Sequence, residues 1–259
     1  MEGLRRSASD LLEQVMPVAR AAGRAIMEVY GTDHAVNSKA DQSPVTEADV
    51  RAEAIILAAL RRLTPEIPIV AEEAVAAGEV PAVSDKFWLV DPLDGTKEFI
   101  SRNGEFTVNI ALVHQGAPVM GVVFAPALNR LFAGAQVVGA FLEDATGRRR
   151  IHCRSAPPEG LTVVASRSHG DAAALDAFLA GRKVASLVNS GSSLKLCLVA
   201  AGEADLYPRL GRTMEWDIAA GHAVLLAAGG RVTDISGRIL AYGKVGFENP
   251  HFVAAATII

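Results

Sequence analysis

Asp91-Pro92-Leu93-Asp94-Gly95-Thr96 follows directly on the apolar run Phe87-Trp88-Leu89-Val90. A short apolar run bounded by turn residues reads as a buried strand. Two carboxylates three residues apart would point to opposite faces of a regular strand. Here Pro92 is expected to end the ladder and Gly95 permits a sharp turn, so both can converge on one spot. Close carboxylates at neutral pH either share a proton or bind a cation, and hard oxygen donors suit Mg²⁺ or Mn²⁺. Just upstream, Ile67-Pro68-Ile69-Val70 reads as another short strand ending in Glu72-Glu73. Acidic residues are therefore expected to close two successive strands.

Working outward, Leu11, Leu12, Val15, Val18, Ala19, Ala22, Ile26 and Val29 recur at helical spacing from Ser9 until Tyr30-Gly31, the pattern of an amphipathic helix. After a polar stretch from Asp33 to Pro44, Thr46 can cap a second helix with Asp49 in its first turn and Ile55, Ile56, Ala59, Leu60 and Leu63 on its apolar face. Strands are predicted at 106–113, 119–124, 131–135 and 139–142, which makes this half α+β with a largely antiparallel sheet. Charge, proline and glycine mix between Asp144 and Gly160 as at a domain crossing. Beyond it, strands (161–165, 184–188, 204–207, 231–234) alternate with helices (171–179, 193–201, 216–228), the pattern of a layered α/β unit. Asp217, in Trp216-Asp217-Ile218-Ala219-Ala220-Gly221, opens the last of these helices. It either caps that helix or supplies a further ligand.

Composition narrows the functional classes. The chain has 259 residues, half of them hydrophobic, with 25 Lys+Arg against 29 Asp+Glu, so it can bury a core of one or two domains and carries no nucleic-acid stripe. Arg148-Arg149-Arg150 is read as a solvated turn or strand edge. Cys153 and Cys197 match no zinc or redox spacing, so free thiols in a reducing, cytoplasmic compartment are expected. The first residues do not read as a signal peptide, and no stretch is long and apolar enough to span a bilayer. The six histidines show no zinc-ligand spacing.

An aspartate in an early helix (Asp49), a Glu-Glu pair (Glu72-Glu73), Asp91-Pro-Leu-Asp-Gly-Thr96 and Trp216-Asp217-Ile-Ala-Ala-Gly221 occur in that order. The chain thereby resembles the Mg²⁺-dependent, lithium-sensitive phosphomonoesterases of the inositol monophosphatase superfamily over nearly its whole length. Lys97-Glu98-Phe99, Gly191-Ser-Ser-Leu-Lys195 and Leu206-Tyr-Pro-Arg209 resemble in particular the CysQ-type 3'(2'),5'-bisphosphate nucleotidases. The resemblance implies a two-domain αβαβα sandwich, with an N-terminal domain at 1–150 carrying most metal ligands and a C-terminal domain at 151–259 completing the site. It implies hydrolysis of adenosine 3',5'-bisphosphate, with 3'-phosphoadenosine 5'-phosphosulfate as a further substrate. One Mg²⁺ (or Mn²⁺) would be held by Glu72, Asp91 and the Leu93 carbonyl, and another by Asp91, Asp94 and Asp217. Glu72, Thr96 and Asp49 would be the catalytic residues, the last two orienting and deprotonating a water.

The amides of Gly95 and Thr96, expected to open a helix, can hold phosphate oxygens. Gly191, Ser192 and Ser193 either bind the other phosphate or sugar or simply cap a helix. Lys195 and Arg209 are candidates for the second phosphate or for surface salt bridges, and His169 for nucleotide contact or an ordinary loop. A haloacid-dehalogenase-type phosphatase would want Asp-x-Asp, one residue tighter than the spacing here. Inositol monophosphate and fructose 1,6-bisphosphate remain alternative substrates, and a non-catalytic metal- or nucleotide-binding module is the alternative from another class. The partner is thus a small phosphate ester, and the protein a monomer or homodimer, soluble or attached peripherally to the inner membrane.

Overall fold

The computed structural model describes residues 2–32, 36–38, 44–166 and 172–256. The helical periodicity near the start produces α1 (Glu2–Tyr30), which begins earlier than the expected Ser9, and Thr46 caps α2 (Glu47–Leu63). Before α2, β1 (Val36–Ser38) pairs antiparallel with β2 (Pro44–Thr46). The rest of the polar stretch lies outside the described residues.

A seven-stranded sheet follows in chain order: β3 (Ile69–Ala71), β4 (Lys86–Asp94), β5 (Thr107–His114), β6 (Ala117–Ala125), β7 (Arg130–Ala135), β8 (Gly139–Asp144) and β9 (Gly147–Ile151). All neighbours are antiparallel except β3 and β4. Glu72 and Glu73 do not close β3 as expected; they open the short α3 (Glu72–Ala76). Acidic side chains are favoured in the first turn of a helix, so the strand gives way to a helix at the first of them. The arginine triplet forms the edge strand β9. Arg148 pairs with Glu13 at 2.6 Å and lies over the Phe141 ring, and Arg149 pairs with Asp144 at 2.7 Å.

The second sheet runs β11 (Val184–Ser190), β10 (Leu161–Ser166), β12 (Leu206–Arg209), β14 (Phe252–Ala256), β13 (Gly230–Asp234). The β10–β11 and β10–β12 pairs are parallel, whereas β14 is antiparallel to both of its neighbours. Between these strands lie α5 (Ala172–Leu179), α6 (Leu194–Ala200) and α7 (Glu215–Ala227). Of the two readings of the arginine triplet the strand edge holds, as β9, whereas β14 was not expected from the sequence, and the connection between the sheets shortens to 152–160.

The strand period of two sorts the core. Along β5, Val108, Ile110 and Leu112 face α1 and α2, while Ala111 and Val113 face α6 and α7. The helices α6 and α7 are thus sandwiched between the two sheets, and Phe178 and Leu179 of α5 cover the far side of the second sheet. The result is an αβαβα stack. α7 lies unusually close to the first sheet. A Cβ at Gly121 of β6 would fall 2.3 Å from the Ala220 carbonyl oxygen, so only glycine lets α7 lie flush. That contact fixes where the N-terminus of α7, with Asp217, meets the end of β4.

Candidate active site

The β4 ladder does not stop at Pro92. Asp91 pairs with Asn109 and Asp94 with Thr107, so two residues of β4, Pro92 and Leu93, bulge against the single Val108. Proline cannot donate to the ladder but is tolerated in a bulge, and the extra residue re-aims the following side chain. Asp91 and Asp94 are therefore brought together by the bulge rather than by strand termination. Leu93 N–H donates to Asp91 Oδ1 at 3.0 Å, which fixes the loop. Gly95 then adopts a left-handed conformation (φ 89°) at the start of α4 (Thr96–Ile100).

Asp91, Asp94, Asp217 and Glu72 line one cavity of about 580 Å³, together with Leu93, Gly95, Thr96, Ser192, Ser193, Lys195 and Arg209. That size accommodates a small-molecule ligand. Asp91 and Glu72 are within hydrogen-bond reach of each other. Burial first, and then the neighbouring charges of Glu72, Asp94 and Asp217, push the Asp91 carboxyl well above its usual range. Asp217 is raised in the same way by burial, Asp94 and Glu72, although it accepts the Met214 N–H at 2.8 Å. Asp94 is pushed up to about 6 by burial, with Lys195 partly opposing the rise. Mutually repelling oxygen donors brought together from β4, α3 and α7 are the donor set a hard divalent cation relieves, so the residues present fit Mg²⁺.

Asp49 stands beside this cluster. It is buried at the start of α2, where its Oδ2 accepts from both the N–H and the hydroxyl of Thr46 at 2.7 Å. Thr96 Oγ1 lies 3.4 Å from Asp49 Oδ1 and equally far from the Leu93 carbonyl. One hydroxyl hydrogen thus chooses between two acceptors.

The opposite wall is a turn held against β5. Gly191 N–H donates to Glu105 at 2.9 Å, Ser193 Oγ donates to Asn109 Oδ1 at 2.6 Å, and Thr107 Oγ1 bonds both Ser192 and Ser193. Ser192 sits at φ 45°, strained for a residue with a side chain. A Cβ at Gly191 would meet Glu105 O and Glu98 Cγ at 2.7 Å. Lys195 is buried in α6 with its Nζ on the carbonyls of Ser190 (3.3 Å) and Ser192 (2.5 Å), and burial pushes it down to about 8. Arg209 is buried too, donating to the carbonyls of Gly211 at 3.3 Å and Arg212 at 2.8 Å. Neither is a surface salt bridge. His169 lies outside the described residues.

Glu105, Thr107 and Asn109 were not singled out from the sequence. The readable signal was polar side chains at alternate positions, 107 and 109, of an otherwise apolar strand. Glu53 was also missed; its carboxylate accepts the Glu73 N–H at 2.9 Å and so seats α3 on α2.

The fold and this acidic cleft define a class: the chain belongs to the inositol monophosphatase family, whose model matches residues 7–258. Among curated relatives it is 51% identical over 245 residues to the 3'(2'),5'-bisphosphate nucleotidase CysQ of Escherichia coli strain K12, covering 93% of this chain and 98% of the relative. It is 41% identical to the protein of the same name from Buchnera aphidicola, covering 95% and 94%. Among solved structures it resembles CysQ from Bacteroides thetaiotaomicron, with a TM-score of 0.81 and 38% identity over 97% of this chain and 98% of that one. It also resembles the Thermotoga maritima IMPase, with a TM-score of 0.78 and 28% identity over 95% and 92%. Among the described residues, no helix is long and apolar enough to cross a membrane.

Proposed function

We propose that this chain is a Mg²⁺-dependent 3'(2'),5'-bisphosphate nucleotidase that hydrolyses adenosine 3',5'-bisphosphate to AMP and phosphate. The observation that carries the chemistry is the convergence of Glu72, Asp91, Asp94 and Asp217 beside the Thr96–Asp49 pair. The name shared by its relatives at 51% and 41% identity supports the substrate. Glu72, Asp91, Asp94, Asp217 and the Leu93 carbonyl would hold Mg²⁺, which when bound neutralises charge on the phosphoryl oxygens and acidifies water.

The rest falls to the protein's own groups. Thr46 locks the Asp49 carboxylate, so that Thr96 Oγ1 can donate to it and keep its lone pairs free to accept from a water. The water proton can then pass through Thr96 to Asp49 as the new O–P bond forms and the bond from phosphorus to the ribose oxygen breaks, that oxygen keeping the bonding pair and taking a proton from solvent water to become the hydroxyl of AMP. The Gly95 and Thr96 amides open α4 beside these groups, and Ser192 and Ser193 present hydroxyls on the facing wall. The two cysteines are free thiols, which suits a reducing compartment such as the cytoplasm.

The test is phosphate release from adenosine 3',5'-bisphosphate and from inositol 1-phosphate, side by side, in Mg²⁺ and in EDTA. Release that is faster from the nucleotide and abolished by EDTA is expected. Preference for the inositol ester would keep the site and overturn the substrate.

A further inference from the structure

Two acidic side chains of α2 point toward the site from one face. Asp49 and Glu53 are four residues apart, so they stand one helical turn from each other, and both are buried. Asp49 meets Thr96 at 3.4 Å. Glu53 meets the first turn of α3, where its Oε2 accepts the Glu73 N–H at 2.9 Å. One face of α2 therefore touches both the hydroxyl of the proton path and the helix that carries Glu72.

The bond from Glu53 falls where the local sequence offers nothing equivalent. β3 ends at Ala71, which pairs with Val90, so Glu72 leaves the sheet level with Asp91. Ala71 is the residue before α3 and has the extended backbone of a helix cap (φ −121°, ψ 143°), but alanine has no side-chain acceptor. α3 has only five residues, none of them buried, and so short a helix has little cooperativity of its own to keep its first turn closed. Glu53 supplies from α2 the acceptor that a serine or aspartate would supply from position 71, and its negative charge suits the start of a helix. Ala71 packs in the same core as Ala52 and Ile56 of α2, so its Cβ lies on the side from which Glu53 comes.

We infer that Glu53 is a positioning residue for Mg²⁺ binding: by capping α3 from the neighbouring helix, it holds Glu72 where its carboxylate joins that of Asp91. This rests on the reading of the cleft as a Mg²⁺ site.

The test measures Mg²⁺ dissociation constants by calorimetry on the whole metal-free chain without substrate, beside the Mg²⁺ dependence of nucleotide hydrolysis. Glu53→Met keeps the length of the side chain and removes both oxygens. Its Mg²⁺ affinity should fall by about 10-fold, the lower end of what loss of a group supporting a metal ligand costs. The Mg²⁺ concentration for half-maximal turnover should rise in step, with KM for the nucleotide at saturating Mg²⁺ unchanged. Glu53→Gln removes the same charge but keeps an oxygen acceptor, and should retain most of the wild-type affinity. Adding Ala71→Ser to Glu53→Met should restore binding, because the cap is then local. A lower melting temperature with unchanged Mg²⁺ affinity in Glu53→Met would make the residue merely structural and overturn the inference. So would a Glu53→Gln protein as weak as Glu53→Met, or a double variant that recovers its melting temperature but not its affinity. If wild type itself binds no Mg²⁺, it is the reading of the cleft that fails, and the role of Glu53 falls with it.

Discussion

The two walls of the cleft are built on opposite principles. The wall from the first sheet gathers Asp91 and Asp94 through one bulge in β4, where burial first, and then the charges of neighbouring carboxylates, raise both carboxyls. The wall from the second sheet is basic, yet its buried cations Lys195 and Arg209 spend their donors on carbonyls of the Ser190–Ser192 and Gly211–Arg212 segments. One wall stores unbalanced charge, and the other uses charge to shape its turns. The difference teaches that one short segment, Asp91–Thr96, anchors the charged side of the cleft, whereas the facing turns are shaped by cations bound to their own carbonyls.

The largest expected effect breaks the first wall. Asp94→Asn preserves volume and removes a ligand charge, so turnover should fall by about 10³-fold or more, equivalent to losing several kcal/mol of charge stabilisation. Stability should move the other way. The folded-state pKa of Asp94 is raised to about 6 from 3.8, so its contribution to stability is fully present below pH 3.8 and lost as pH rises through 6. Above that, the charged carboxylate destabilises the metal-free fold. Asp94→Asn should therefore stabilise the protein in EDTA by roughly 1–3 kcal/mol at neutral pH, read by urea unfolding. Near-wild-type turnover, or a loss of stability in EDTA, would contradict the charged-wall account.

A second break leaves the charge in place. Thr96→Ala keeps all four carboxylates but removes the hydroxyl proposed to pass the water proton to Asp49, so kcat should drop by about 10²- to 10⁴-fold while Mg²⁺ still raises the melting temperature. If Mg²⁺ stabilisation disappears with turnover, Thr96 acts on the carboxylate cluster rather than on the proton.

This asymmetry also explains what could be read without coordinates. Asp91, Asp94 and Thr96 share six residues, and Asp217 opens a helix that is otherwise apolar, so local order alone marked them. Pro92 misled, because proline suggests a ladder's end, whereas the sheet absorbs it as a bulge opposite Val108. At Arg148–Arg150 a turn and a strand edge both stayed open, because the partners that hold β9, Glu13 and Phe141 among them, are remote or carried on the neighbouring strand. Lys195 and Arg209 were legible as cations but not as buried ones, since their carbonyl partners are set by turn geometry.

The second wall is sharpened by a smaller change. Gly191→Ala places a methyl group 2.7 Å from both Glu105 O and Glu98 Cγ, and neither neighbour can retreat without disturbing the turn that carries Ser192. An overpacking cost of about 1–3 kcal/mol is expected, with KM for the nucleotide raised more than kcat is lowered. A fall in kcat alone would place the turn on the chemical side of the cleft.

The smallest effect concerns α7, which joins the two walls. Five residues beyond Asp217, His222 is buried with Nδ1 2.7 Å from the Tyr242 hydroxyl, and burial pushes its pKa down to about 3 from 6.5. The unfolded chain therefore binds a proton below pH 6.5 that the folded chain refuses until about pH 3. Stability contributed by neutral His222 is present above 6.5 and is lost as pH falls, with a limiting slope of about 1.4 kcal/mol per pH unit. Asp94 has the opposite sign, since the folded protein gains relative stability as Asp94 takes up its proton below about pH 6. In wild type the two slopes partly cancel, and Asp94→Asn should expose the histidine as a steeper loss of stability between pH 6 and 4. His222→Gln, which keeps a polar partner for Tyr242, should flatten that loss, and adding it to Asp94→Asn should restore a shallow profile. Urea midpoints measured across this range decide the matter: identical slopes with and without His222 would mean that the histidine is charged in the folded protein.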